Sequence, residues 1–148
     1  MPKMPRVQRV VLPILRGHND PANQLSVLPT LAGVKCGSWV EDIDYRLFPM
    51  LNVRRIGGTR NSSRPTVLSR PVIEMTAYGT EGLVETENLY EDALEVLYDA
   101  VRRQVQTPYG YLHSIRETMG STQFSSMFMD SWRVQGLIQL GVRAPLNN

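Results

Sequence analysis

Apolar residues at Val7, Val10, Val11, Ile14 and Leu15 recur at three- and four-residue steps. That spacing predicts a short helix over residues 5–16. Pro5 suits a first helical turn, and Pro13 is expected to kink or end the helix near Leu12. Asp20-Pro21 is another helix-start signal, and Pro29 limits a helix begun there to about two turns. Residues 17–33 therefore read as a loop with a helical turn inside it.

The period then changes. Residues 34–40 read as a first strand, interrupted by Cys36 and Gly37, and Glu41-Asp42-Ile43-Asp44 as a polar turn. Residues 47–56 form a second expected strand, with Pro49 near its start, where a missing N–H is tolerated. Gly57-Gly58 is expected to end it, and residues 59–65 to form a loop with no core-forming side chain. In residues 71–78, Ile73, Met75 and Ala77 alternate with Glu74 and Thr76, a third strand. The clearest helix spans residues 86–105, where Leu89, Ala93, Leu94, Leu97, Ala100, Val101 and Val105 share one stripe. Thr86 is its expected N-cap, and Pro108 and Gly110 stop it. Residues 111–118 predict a fourth strand, and residues 119–130 a loop. In the last strand Trp132, Val134, Ile138, Leu140 and Val142 face away from Arg133, Gln135, Gln139 and Arg143.

The predicted order is helix, three strands, long helix, two strands. Strands that do not alternate with helices favour an α+β fold. The expectation is a mixed or antiparallel sheet of about five strands, with the long amphipathic helix on one face and a short N-terminal helix. With 148 residues the chain is expected to form one domain: an N-terminal helix and Pro-rich connection over 1–33, a sheet-and-helix core over 34–118, and a C-terminal loop and strand over 119–148. A chain of this size buries about 70% of its unfolded surface, enough to fold without staples. Cys36 is the only cysteine, which excludes an intrachain disulfide. No apolar run approaches the ~18 residues of a membrane span, and the short apolar run after Arg9 lacks a cleavage site. The expectation is a protein made in a reducing cytoplasm, with no membrane partner.

A net charge of +2 says little, but its distribution changes the picture. Arg54, Arg55, Arg60, Arg64 and Arg70 fall in a stretch with no acid. Glu81, Glu85, Glu87, Glu91, Asp92, Glu95 and Asp99 fall in a stretch with no base. Each is either a solvated surface or a contact with something of opposite sign, a second copy included. Met127, Phe128 and Met129 form an apolar tip between polar residues, either a partner contact or core.

Candidate chemistry is thin. His18 and His113 have no metal ligand at useful spacing. Glu41, Asp42 and Asp44 lack the Gly-containing loop of a calcium site. Gly57-Gly58 lacks the Lys and the subsequent helix of a phosphate loop. Nothing lowers the pKa of Cys36, so it reads as a structural thiol. The Arg-rich segment has no aromatic residues for base stacking. No enzyme, metal or cofactor is expected.

One block resembles a known family. Residues 47–60 read L-F-P-M-L-N-V-R-R-I-G-G-T-R; R-P-V-I-E-M-T-A-Y-G runs on from Arg70, then a helix carrying A-L-E-V-L-Y-D-A-V. This proline-started strand ending in R-x-G-G, second strand and Ala-bearing helix resembles the tail terminator proteins of long-tailed bacteriophages, the head-to-tail connector or tail-completion class. The resemblance covers about 60 residues; the Pro-rich N-terminal connection and the long 119–130 loop depart from the simplest pattern. It implies a small subunit of a homohexameric ring in the virion, at the head-proximal end of the tail tube. Such a ring ends tube polymerisation, docks head-completion or stopper proteins and passes genomic DNA through its lumen unread. By the same resemblance Arg54, Arg55, Arg60 and Arg64 would line the lumen or a subunit contact. Glu85, Glu87, Glu91, Asp92 and Glu95 would form the opposite-charge face. Two readings compete: another connector or tail-completion subunit, and a basic-loop module that binds nucleic acid non-specifically.

Overall fold

The computed structural model describes residues 6–16, 34–37, 48–124 and 131–145. In chain order they form α1 (Val7–Arg16), β1 (Lys35–Gly37), β2 (Met50–Arg60), β3 (Leu68–Gly79), α2 (Leu83–Arg103), β4 (Tyr111–Phe124) and β5 (Trp132–Arg143). The sheet runs β1-β2-β3-β5-β4. β1 pairs with β2 in parallel and the other pairs are antiparallel, so the sheet is mixed and the fold is α+β as expected.

Both helices supply one core. Leu51 and Val53 of β2, Ile73, Met75 and Ala77 of β3, and Val134, Ile138, Leu140 and Val142 of β5 are buried. They meet Leu89, Ala93, Leu94 and Leu97 of α2 and Val10, Val11, Ile14 and Leu15 of α1 in one cluster. α2 packs over β3, β5 and β4, and α1 over β1 and β2 and against α2. Burial of this periodic apolar surface is the main stabilising term.

Four of the boundary differences from the sequence expectation have a physical reason; smaller ones are β3 beginning at Leu68 and α2 ending at Arg103. α1 runs on through Pro13 to Arg16. Losing one helical hydrogen bond at Pro13 is offset by burying Ile14 and Leu15 beyond it. β2 does not stop at Gly57-Gly58; Ile56 bulges out between Arg55 and Gly57, and pairing with β3 resumes to Arg60. A bulge absorbs one extra residue without ending the ladder. α2 begins at Leu83, so Thr86 is not its N-cap. Thr86 is buried and its hydroxyl donates to the Gly82 carbonyl at 2.7 Å. β4 continues through Met119 to Phe124 in place of the expected loop, because Met119, Thr122, Gln123 and Phe124 pair with Leu137, Gln135, Val134 and Arg133 of β5. The expected first-strand residues 38–40, the helical turn after Asp20 and the Glu41–Asp44 turn lie outside the described residues.

Where α2 crosses β5, Tyr90 lies fully buried over Gly136. A Cβ on residue 136 would stand 1.9 Å from the Tyr90 hydroxyl and 2.9 Å from the Met119 carbonyl, so only glycine lets the ring close onto the sheet. The hydroxyl finds no hydrogen-bond partner among the described residues. An unsatisfied buried hydroxyl is destabilising. Tyr90→Phe is therefore expected to raise the melting temperature by a few degrees, corresponding to about 1 kcal/mol. A lower melting temperature would show that the hydroxyl is paired.

Candidate functional site

The basic residues lie on one hairpin. Arg54 and Arg55 are on β2, Arg60 ends it, and Arg64 sits in the turn to β3; all four are exposed. Arg54 pairs across the strands with Glu74 at 3.1 Å, an exposed ion pair worth ~0–1 kcal/mol. Arg55 folds onto its own strand, donating to the Gly57 and Gly58 carbonyls at 3.1 and 3.3 Å. Arg60, Arg64 and Arg70 pair with no acid among the described residues. The hairpin tip is a built turn. The Asn61 side chain accepts the N–H groups of Ser63 and Arg64, each at 2.9 Å. The Arg64 carbonyl accepts those of Val67 and Leu68. Ala144 beyond β5 donates to Val67.

The acids divide into two groups. Glu87, Glu91 and Glu95 succeed each other at four-residue steps along the exposed side of α2. Tyr98 continues this stripe and donates to Glu117 of β4 at 2.9 Å, a bond that raises its pKa. Glu85 and Asp92 instead turn to the start of the helix. There, with Glu81, they rim a groove of about 320 Å³ between that end of α2 and the start of β2. Its apolar wall is Phe48, Pro49 and Leu89. The groove joins two separated stretches of chain, residues 48–49 and 79–92, and no sequence spacing signals that they meet. Further along, Asp99 is held by Arg102 and Arg103 of its own helix. Burial pushes its carboxyl up, but those two partners outweigh burial and hold it below its ordinary value.

The basic tip and the acidic groove are at opposite ends of β2. Phe48 and Pro49 precede β2, and the tip comes after it. Eleven strand residues lie between them, roughly 35 Å at ~3.3 Å per residue.

Cys36 is buried beneath α1, and burial pushes its thiol up to about 11 against the weaker opposing pull of Arg16. Arg16 donates to the Cys36 carbonyl at 2.7 and 3.0 Å, tying α1 to β1. A thiol protonated at neutral pH is a poor nucleophile. His113 is exposed on β4. No group of metal-ligating side chains occurs among the described residues, and no described helix is long and apolar enough to cross a membrane. His18 and the tip Met127, Phe128 and Met129 lie outside the described residues.

Comparison with known proteins places this arrangement. The model of the phage tail termination protein family matches residues 3–148. The chain is 61% identical over 145 residues to the Gene 22 proteins of Mycobacterium phages D29 and L5, covering 98% of this chain and 97% of theirs. In fold it resembles a chain from the virion of a native gene transfer agent particle, with a TM-score of 0.61 and 14% identity over 93% of this chain and 95% of that one. The protein thus belongs to the phage tail termination protein family and is a structural component of the phage tail.

Proposed function

We propose that this protein closes the head-proximal end of a long phage tail tube as a ring of six identical subunits. The ring ends tube polymerisation at the head–tail junction and offers its other face to a head-completion or stopper protein. Genomic DNA passes through the lumen without being read, and the protein performs no catalysis.

Family membership over residues 3–148 supports the tail role. The observation that carries the ring is the placement of the basic hairpin tip and the acid-rimmed groove at opposite ends of β2. A ring needs two different, complementary surfaces on each copy, because its contacts are head-to-tail and close by rotation. Tip and groove are a strand's length apart, so each suits a separate neighbour, as in a head-to-tail ring, better than one two-fold interface that would have to hold both.

The test is the mass of the purified protein by native mass spectrometry, alone and with tail tubes of the same phage. The expected result is a closed oligomer of about six copies, or a monomer that caps one end of each tube in electron micrographs. A persistent monomer that ignores tubes and binds DNA with a steep salt dependence would overturn the reading.

A further inference from the structure

The groove and the hairpin tip carry an inference about how neighbouring subunits join. Glu81, Glu85 and Asp92 rim a groove with an apolar wall, and none of the three has a cationic partner among the described residues. At the other end of the strand, Arg60 and Arg64 stand exposed with no acidic partner among the described residues. Val67 beside them is 40% exposed, a large apolar side chain on an otherwise polar turn. The two features match in charge and in apolar character. They cannot meet within one chain, because the paired and rigid β2 holds them apart.

We propose that the β2–β3 hairpin tip of one copy seats in the groove at the start of α2 of the next. Arg60 and Arg64 meet the carboxylates of Glu81, Glu85 and Asp92, and Val67 covers the apolar wall at Phe48 and Leu89. Arginine suits this position because its planar, forked guanidinium binds carboxylates bidentately. The Asn61-capped turn presents both arginines without first having to order a loop, which lowers the cost of association. The acidic rim disfavours nucleic acid as the occupant, and the groove is too small for a folded partner's surface. This contact rests on the ring reading and specifies which surfaces make it.

Charge exchange tests it. One variant carries Arg60→Glu and Arg64→Glu, a second carries Glu85→Arg and Asp92→Arg, and a third carries all four changes. None of these four side chains is buried, so each variant is expected to melt cooperatively like the wild type. In the first two, like charges meet at every junction. Each is expected to need at least ten times the wild-type concentration to form rings or cap tubes. Mixing the two restores opposite charges at every junction of a ring in which the two variants alternate, and the fourfold variant restores them in a ring of one chain; both are expected to recover assembly. Neutral Arg60→Gln with Arg64→Gln is expected to fall between wild type and the first variant. Wild-type assembly that persists in both charge-reversed variants overturns this contact and leaves the ring standing. Loss in both with no recovery in the mixture or the fourfold variant also overturns it, because the two charged groups then act on separate partners. A wild-type protein that neither forms rings nor caps tubes overturns the ring reading itself, and the contact with it.

Discussion

Leu97→Asp is expected to leave the protein without a cooperative native state. Leu97 is fully buried in the stripe of α2 that faces the sheet. Truncating such a leucine costs about 2–5 kcal/mol from lost burial and the cavity left behind. An ionised carboxylate at that depth adds several kcal/mol, because burial disfavours its charged form by up to ~3–5 pKa units at about 1.4 kcal/mol each. Together these reach the total stability of an ordinary domain, about 5–15 kcal/mol. Val84→Asp, on the same helix but 63% exposed, is the matched control and is expected to shift stability by less than ~0.5 kcal/mol. The measurement is a thermal melt by circular dichroism. A sharp transition in Leu97→Asp near the wild-type temperature would mean that α2 does not bury this face. Acidification is expected to help the variant partially. A buried Asp has a raised folded-state pKa, so its ionisation penalty is fully present above that pKa and fades as pH falls to the unfolded value, ~3.9.

Gly58→Val is expected to be the most damaging change on the hairpin. Gly58 has a φ of 99°, and a Cβ there would stand 2.2 Å from the Arg70 carbonyl oxygen and 2.4 Å from the Pro71 Cα. These are backbone atoms of the paired strand, so no side-chain rotation relieves the contact. The backbone conformation alone costs a non-glycine residue about 1–3 kcal/mol, and a branched side chain adds the steric collision. A loss of about 3 kcal/mol corresponds to roughly 10 °C in melting temperature for a chain of this size. The damage is expected to concentrate past the bulge, so trypsin should cut after Arg60 much faster than in the wild type, and assembly of the proposed ring should fail with it. Gly57→Ala is the contrast, since a Cβ there meets nothing within 4 Å. It is expected to be neutral or slightly stabilising, by up to ~1 kcal/mol. Equal melting temperatures for Gly58→Val and the wild type would show that β2 and β3 separate at this point.

The elements with the strongest periodicity are legible in the amino-acid sequence. The three- and four-residue stripe of α2 and the alternation of β5 both bury as read, with Val134, Ile138, Leu140 and Val142 inward. The order of elements and the class of sheet come from the same signals. Where periodicity failed, neighbouring strands decided. Residues 119–124 carry no alternating pattern, and only pairing with β5 makes them strand. Gly57-Gly58 reads as a strand end because glycine pairs mark turns, yet the β3 ladder carries the strand past them. Pro13 is a local break that the packing of Ile14 and Leu15 overrides.

For the site the division is similar. Charge runs are local, so the basic segment at Arg54–Arg70 and the acidic segment at Glu81–Asp99 are plain in the sequence, as is the 47–60 block shared in pattern with the tail terminators. The sequence by itself therefore determined the secondary elements with regular period, the fold class, the family and the sign of each surface. All of these depend on residues close along the chain. The tertiary structure alone decided that the acids split between a helix stripe and a groove rim, and that Arg54 is paired while Arg60 and Arg64 stand clear. It alone set the basic tip and the groove a strand's length apart. Those facts depend on which distant segments meet, and that is fixed by strand register and the burial of a shared core.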